Sequence, residues 1–311
     1  MKKKIMICFM ILVMFFSTGF MKMQKSTNLV SDKEDYEITM KRDILCLMMA
    51  YPEYIKDVRV ENDKVYLVMN SGNKIMYDDK REKKFDEKVN NPDIQDMMEQ
   101  LYPLSDIKNL MDSDYNPGRI RTYPLLKEVY GYSKSSVEKN LVNVRAGSKY
   151  CLFNKNNNAA NSLKKVMEEL NSLSKAQGNI YSIVFPVNGT FNYRVIAGTN
   201  RLSPHSFGTA IDLKSDKRDY WKWASREQGQ KRLESYPREV VEIFEKNNFI
   251  WGGKWGKFDI LHFEYRPELI LKSRYFGSKK TNEKNWYEGA PFEDNEVKKY
   301  ITLIDKAFNI E

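Results

Sequence analysis

The sequence predicts an α+β fold in two units, and three observations lead there. Residues 36–54 carry apolar side chains at helical spacing and run into an alternating stretch punctuated by turn residues. A second helical stretch, 158–175, runs into two strand-like segments joined at Asn188-Gly189. The chain has 311 residues, 41% of them hydrophobic and 30% charged, which suits a folded chain long for one domain and comfortable for two.

The first element is a leader. Three lysines precede an unbroken apolar run from Ile5 to Phe16, and Ser17, Thr18 and Gly19 follow. A charged start with an apolar core is the pattern of a secretory signal. Counted to Met21 the apolar segment has 17 residues, about 26 Å as a helix against a hydrocarbon core of about 30 Å. No A-x-A cleavage site follows, so residues 1–24 are expected to be a signal peptide or an uncleaved signal anchor. The mature chain is therefore expected outside the cytoplasm, secreted, in the wall or membrane-anchored. Contact with a membrane is expected only through this segment.

Residues 25–34 read as a polar linker. Residues 35–135 read as an accessory α+β region. It comprises a helix ending near Pro52, then a three-stranded meander with turns at Asn62-Asp63 and Ser71-Gly72-Asn73. The charged stretch DDKREKKFDEK is expected to be a solvated loop. Helical pieces follow around 94–101 and 121–130. No catalytic chemistry is legible in this region.

The second unit spans 142–275. A helix over 158–175, with Asn158 or Asn161 as its cap, precedes the expected hairpin of IYSIVFPVNGTFNYRVIAG. A strand-like run, TAIDL, follows, and 236–248 reads as an amphipathic helix. Glycine turns in WGGKWGKFD lead into a strand around 260–265. Residues 276–311 form a polar tail with a helix over 295–308.

The chain has three cysteines and no C-x-x-C, which excludes a cysteine zinc cluster. Cys46 and Cys151 either pair in an oxidising compartment or stand as separate buried thiols. The formal net charge of +9 favours an anionic partner such as nucleic acid, anionic lipid or an acidic wall. The leader and the lack of any nucleic-acid motif argue against nucleic acid.

Only two histidines occur. His205 lies in SPHSFGTAID, seven positions before Asp212, and His262 lies in DILHFEY. Two imidazoles and one carboxylate suit a zinc ion and leave a fourth position for water, whose pKa falls to about 7 at such a site. Asp259, three residues before His262, is placed to act as proton acceptor and donor at the strand's irregular entrance. Glu264 shares the face of His262 by period two and is expected to orient an imidazole. Arg194 and Arg201 are the candidates for stabilising an anionic intermediate, with Arg194 preferred because a hairpin strand would hold it. Ser203 and Arg201 are the candidates for substrate contact. Gly208 permits a turn, and Ala210 leaves room beside the metal.

The motif S-x-H-x-x-G-x-A-x-D, followed by D-x-x-H, resembles the VanY-type zinc D-alanyl-D-alanine carboxypeptidases and their L-alanyl-D-glutamate endopeptidase relatives. The likeness covers roughly residues 145–275, including YRVIAGTNRLS and WGGKWGKFD. It implies a small antiparallel sheet with flanking helices, the Hedgehog/DD-peptidase-like arrangement. It also implies one zinc per chain on His205, Asp212 and His262, with Asp259 as catalytic acid/base. The implied substrate is the peptidoglycan stem peptide. Aspartate stands where many relatives carry glutamate, as in the endopeptidase branch, so the bond cut is either D-Ala-D-Ala or L-Ala-D-Glu. A wall-binding module that keeps the metal without catalysis is the non-enzymatic alternative.

Overall fold

The computed structural model describes residues 35–277 and 285–308, and the leader and linker expected over 1–34 lie outside them. Helices and small antiparallel sheets are mixed, an α+β architecture with three separate sheets.

Helix α1 (35–50) opens the described chain and buries Ile44, Leu45, Cys46, Leu47 and Met48 together. It ends just before Pro52, which has no N–H to continue a helix. The meander β1 (Ile55–Glu61), β2 (Lys64–Met69) and β3 (Lys74–Met76) forms as expected, in the order β1-β2-β3. Asn62 and Asp63 both take positive φ at the first turn, a conformation their side chains tolerate. The last helix of the chain, which the tail was expected to contain, packs back onto β1 through Val297, Ile301 and Ile304.

The charged stretch after β3 is not a solvated loop. It contains helix α2 (Phe85–Asn90), and Lys83 is buried against Asp79, Asp93 and Asp96 at 3.0, 2.8 and 2.7 Å. Three carboxylates compensate the buried ammonium, so a run that looks hydrophilic is partly interior. Short helices α3 (Ile94–Met98), α4 (Tyr123–Tyr130) and α5 (Lys134–Glu138) follow.

The hairpin expected at Asn188-Gly189 does not form. The real hairpin lies earlier, as β4 (Leu141–Ala146) and β5 (Lys149–Asn154). Helix α6 (Ala159–Ala176) comes next, and neither Asn158 nor Asn161 gives it a side-chain cap: Asn158 is the cap residue, in a left-handed conformation without a side-chain bond. The first half of the expected hairpin is helix α7 (Gly178–Val184), which packs on α6 and buries Ile180 and Val184. Pro186 cannot donate to a ladder, and the chain beyond it is irregular, touching strands only at single bridges. Arg194 therefore lies on an irregular segment and not on a hairpin strand.

The sheet that carries Asp212 and His262 has the order β6 (Ala210–Asp212), β8 (His262–Tyr265), β7 (Phe249–Trp251), all antiparallel. Helices α8 (Arg226–Glu234) and α9 (Arg238–Lys246) connect β6 to β7, and α10 (Pro267–Phe276) follows β8. The final helix is α11 (Asn295–Phe308).

One apolar core joins α1 and the meander to this sheet. Polar contacts cross the same boundary. Tyr51 donates to Glu268 at 2.7 Å, Lys272 pairs with Asp43 at 2.6 Å, and Lys254 donates to the Pro103 carbonyl at 2.7 Å. Cys46 and Cys151 are both free thiols. No helix of the described residues is long and apolar enough to cross a membrane.

Candidate active site

The pairing of β6 with β8 builds the centre. Asp212 and His262 are register partners across these two strands, so their side chains meet. His205 arrives from a short 3-10 turn, Pro204–Phe207, which Gly208 terminates at φ +66°. A Cβ at Gly208 would lie 2.7 Å from the Leu141 side chain, so both the turn and the packing call for glycine. Ala210 is fully buried beside it.

One ligand atom from each of His205, Asp212 and His262 lies within 4.8 Å of the others. Asp212 Oδ1 is 3.3 Å from His205 Nε2 and 2.9 Å from His262 Nδ1. Ligands about 2.0–2.2 Å from a tetrahedral zinc lie roughly 3.3–3.5 Å apart, close to the His205–Asp212 separation and somewhat longer than the Asp212–His262 one. The chemistry of the cluster fits zinc as well. His205 Nδ1 sits 2.6 Å from the Thr190 carbonyl, which can only accept. The ring proton is therefore on Nδ1, and Nε2 turns a lone pair toward Asp212. His262 has its Nδ1 toward Asp212 and its Nε2 3.9 Å from Glu264.

The electrostatics of the metal-free cluster are those of a site short of positive charge. Burial alone would raise the Asp212 pKa, but hydrogen bonds from His205 and His262 hold it well below the usual carboxylate range. Burial disfavours the charged form of His262, yet Asp212 and Glu264 raise its pKa to about 9. A dication would supply the charge that a proton supplies here.

Asp259 stands at the entrance to β8. Its backbone N–H donates to the Gly252 carbonyl at 2.9 Å, and its carbonyl accepts from His262 N at 3.1 Å. Its carboxylate makes no hydrogen bond or ion pair among the described residues. Burial and the charge of Asp212 raise its pKa to about 6, against the opposing pull of His262 and Arg119.

Glu264 is fully buried and gripped by Arg121, whose Nε donates to Oε1 at 2.8 Å while Nη2 bonds Oε2. Burial would raise the Glu264 pKa, but the Arg121 charge holds it well below the usual range.

The remaining candidates are dispersed. Arg194 is exposed, and its guanidinium forms no hydrogen bond among the described residues; only its backbone is used, joining Ser203 and Ser206. Ser203 is buried, and its hydroxyl does not cap the turn that follows. Arg201 lines a cavity of about 760 Å³ with Tyr123, Lys127 and Thr199, and its Nε is buried without a partner.

Three contributors, Thr190, Arg121 and Arg119, were not foreseen, and the Trp255 ring joins them. Thr190 orients His205 through its backbone, and Arg121 grips Glu264. Trp255 packs its ring 5.6 Å from that of His262. Arg119 lies 4.9 Å over the Trp255 ring. Residues 119 and 121 belong to the accessory region, in NPGRIRTYP. Nothing in that spacing announces a partner more than a hundred positions away.

Residues 197–265 match the family model described as D-alanyl-D-alanine carboxypeptidase. The carboxypeptidase match contains all three cluster residues and Asp259. It covers the sheet and the turn that hold them, and leaves out Arg119, Arg121, Thr190 and Arg194. Over this segment the chain is similar to a peptidoglycan-related metallopeptidase family whose members are generally zinc-dependent. No curated protein and no solved structure matches the chain.

Proposed function

We propose that this protein is a zinc metallopeptidase that hydrolyses peptide bonds in peptidoglycan stem peptides, at the terminal D-Ala-D-Ala bond. The observation that carries this reading is the assembly of His205, Asp212 and His262 within one ligand sphere, with the unpartnered carboxylate of Asp259 at its edge. Zinc held by these three residues would acidify water and polarise a carbonyl.

The chain's own groups divide the remaining work. Thr190 fixes the tautomer of His205, and Glu264 steadies His262 while Arg121 holds Glu264 in place. Asp259 has no structural partner to satisfy, so it is available to take a proton from the attacking water and return it to the leaving amine. A structural metal site would be closed by a fourth protein ligand, and none stands within reach among the described residues. The substrate lies outside the cytoplasmic membrane, and the lysine-led apolar segment at residues 1–24 supports export there.

Digestion of purified muropeptides, with mass spectrometry of the products, tests this. Loss of one alanine supports the D-Ala-D-Ala assignment. Separation of L-Ala from D-Glu would assign the endopeptidase activity instead. Zinc and wall binding without any cleavage would leave a non-catalytic module.

A further inference from the structure

We propose that Arg119, supplied by the N-terminal region, binds a carboxylate of the peptide substrate and sets specificity for it. This rests on the peptidase reading above.

Arg119 is held in place from several sides. Its backbone N–H donates to the Asn116 carbonyl at 3.0 Å, and its Nη1 donates to the Lys257 carbonyl. The guanidinium carbon lies 4.9 Å from the centre of the Trp255 ring, which in turn packs on His262. The loop itself is stitched to the segment before β8. Trp255 Nε1 donates to the Pro117 carbonyl at 2.6 Å, Gly256 N to the Tyr115 carbonyl at 2.7 Å, and Lys257 N to Asn116 Oδ1 at 2.9 Å. So a guanidinium is fixed one ring away from the metal cluster, on a segment too well tied to drift.

What it lacks is a counterion. Arg121 has Glu264, Arg266 has Glu268 and Arg232 has Asp219. Arg119 has no carboxylate partner among the described residues. Its Nε and Nη2 make no hydrogen bond among the described residues, and the side chain is only partly exposed. Its neighbours press the point: burial and the charge of Arg121 both disfavour its cation, as does Arg201, and only Asp259 and Tyr220 support it. Arg201, the second cation that acts on it, leaves a buried Nε unsatisfied on the wall of its cavity. One anchored guanidinium with donors to spare, a single ring away from His262, is suited to an anionic group of the peptide. A planar fork favours a carboxylate held by two parallel bonds.

Stem peptides offer two such groups, the C-terminal carboxylate and the carboxylate of D-Glu. The zinc-loaded full chain carrying Asp259→Asn, which should leave peptide uncut, is titrated calorimetrically with three pentapeptides. One has both carboxylates free, one has its C-terminus amidated, and one has D-Glu amidated. The free acid should bind about 10–100-fold more tightly than one of the two amides, and that amide identifies the carboxylate. Adding Arg119→Gln should erase the difference with zinc content unchanged, and Arg119→Lys should restore only part of it. Equal binding of all three peptides, or no binding, would overturn the proposal. So would an equal loss for all three in Arg119→Gln, the mark of a merely structural residue. If Arg119→Gln does not fold, Arg119→Lys decides: reduced discrimination supports the role, and full discrimination ends it. Discrimination by a protein whose unsubstituted form cleaves nothing would defeat the peptidase reading alone.

Discussion

Arg121 forks onto Glu264 in the interior, and this single pair ties the N-terminal region to the strand that carries His262. Glu264 in turn lies 3.9 Å from His262 Nε2. A chain of contacts of this kind orients His262 from outside the cluster. Removing Arg121 leaves the buried Glu264 with Arg266 Nη1, 3.6 Å away, to offset its charge, which places the cost at or below the about 3–5 kcal/mol of a wholly uncompensated partner. Arg121→Met should therefore cost stability of that order in urea unfolding. It should also weaken zinc binding about 10–100-fold, as loss of a supporting partner usually does. Unchanged zinc affinity in a folded Arg121→Met protein would show that the pair serves stability only.

The same pair sets a response to acid. The Glu264 carboxyl is held far below its ordinary value of 4.5, so the folded protein keeps it ionised where the unfolded chain takes up a proton. That stabilisation is fully present above about pH 4.5 and is lost as pH falls below it. Asp212 acts in the same direction. Melting temperatures of the zinc-free protein should not fall from pH 7 to about 5, where the raised pKa values of His262 and Asp259 add stability on acidification, and should drop below that. Arg121→Gln should begin lower and drop less steeply, because it has less to lose. An acid slope identical to that of the unsubstituted protein would contradict the assignment.

Among the glycines of the described residues, Gly256 leaves the least room for a side chain. A Cβ there would overlap the Asp112 carbonyl oxygen, which is backbone and cannot swing aside. Gly256→Ala should destabilise the protein by about 1–3 kcal/mol. It should also disturb the loop that carries Arg119. Chemical denaturation measures the first effect, and a melt equal to that of the unsubstituted chain would mean the two segments do not meet this closely.

The three proposed zinc ligands give a direct count. Purified protein should carry about one zinc per chain, and His205→Ala or His262→Ala should abolish stoichiometric binding and hydrolysis together. Elemental analysis showing full zinc retention in both variants would refute the ligand set.

Much of this site could be read from the chain because its parts are local. His205, Gly208, Ala210 and Asp212 lie on one turn and strand, and His262 pairs with that strand. Arg119 and Arg121 could not be read, since their partners lie 138 and 143 positions away and only the tertiary fold brings them in. Helix α8 was also hidden. Its interior residues are Gly229, Arg232 and Leu233, and Arg232 is buried only because Asp219 pairs with it at 2.7 Å. The β-branched run around Ile183 read as a strand and folded as α7, because packing against α6 outweighed local preference.

The most direct measurement is the rate of stem-peptide hydrolysis by Asp259→Asn, taken together with its zinc content. Asp259 is not among the three cluster residues, so the variant should fold and keep its zinc. Its amide can neither accept the water proton nor deliver it to the leaving amine, so hydrolysis should fall about 10²–10⁴-fold or more. A zinc-loaded Asp259→Asn protein that turns over stem peptide at the unsubstituted rate would contradict the mechanism and move the acid/base role elsewhere.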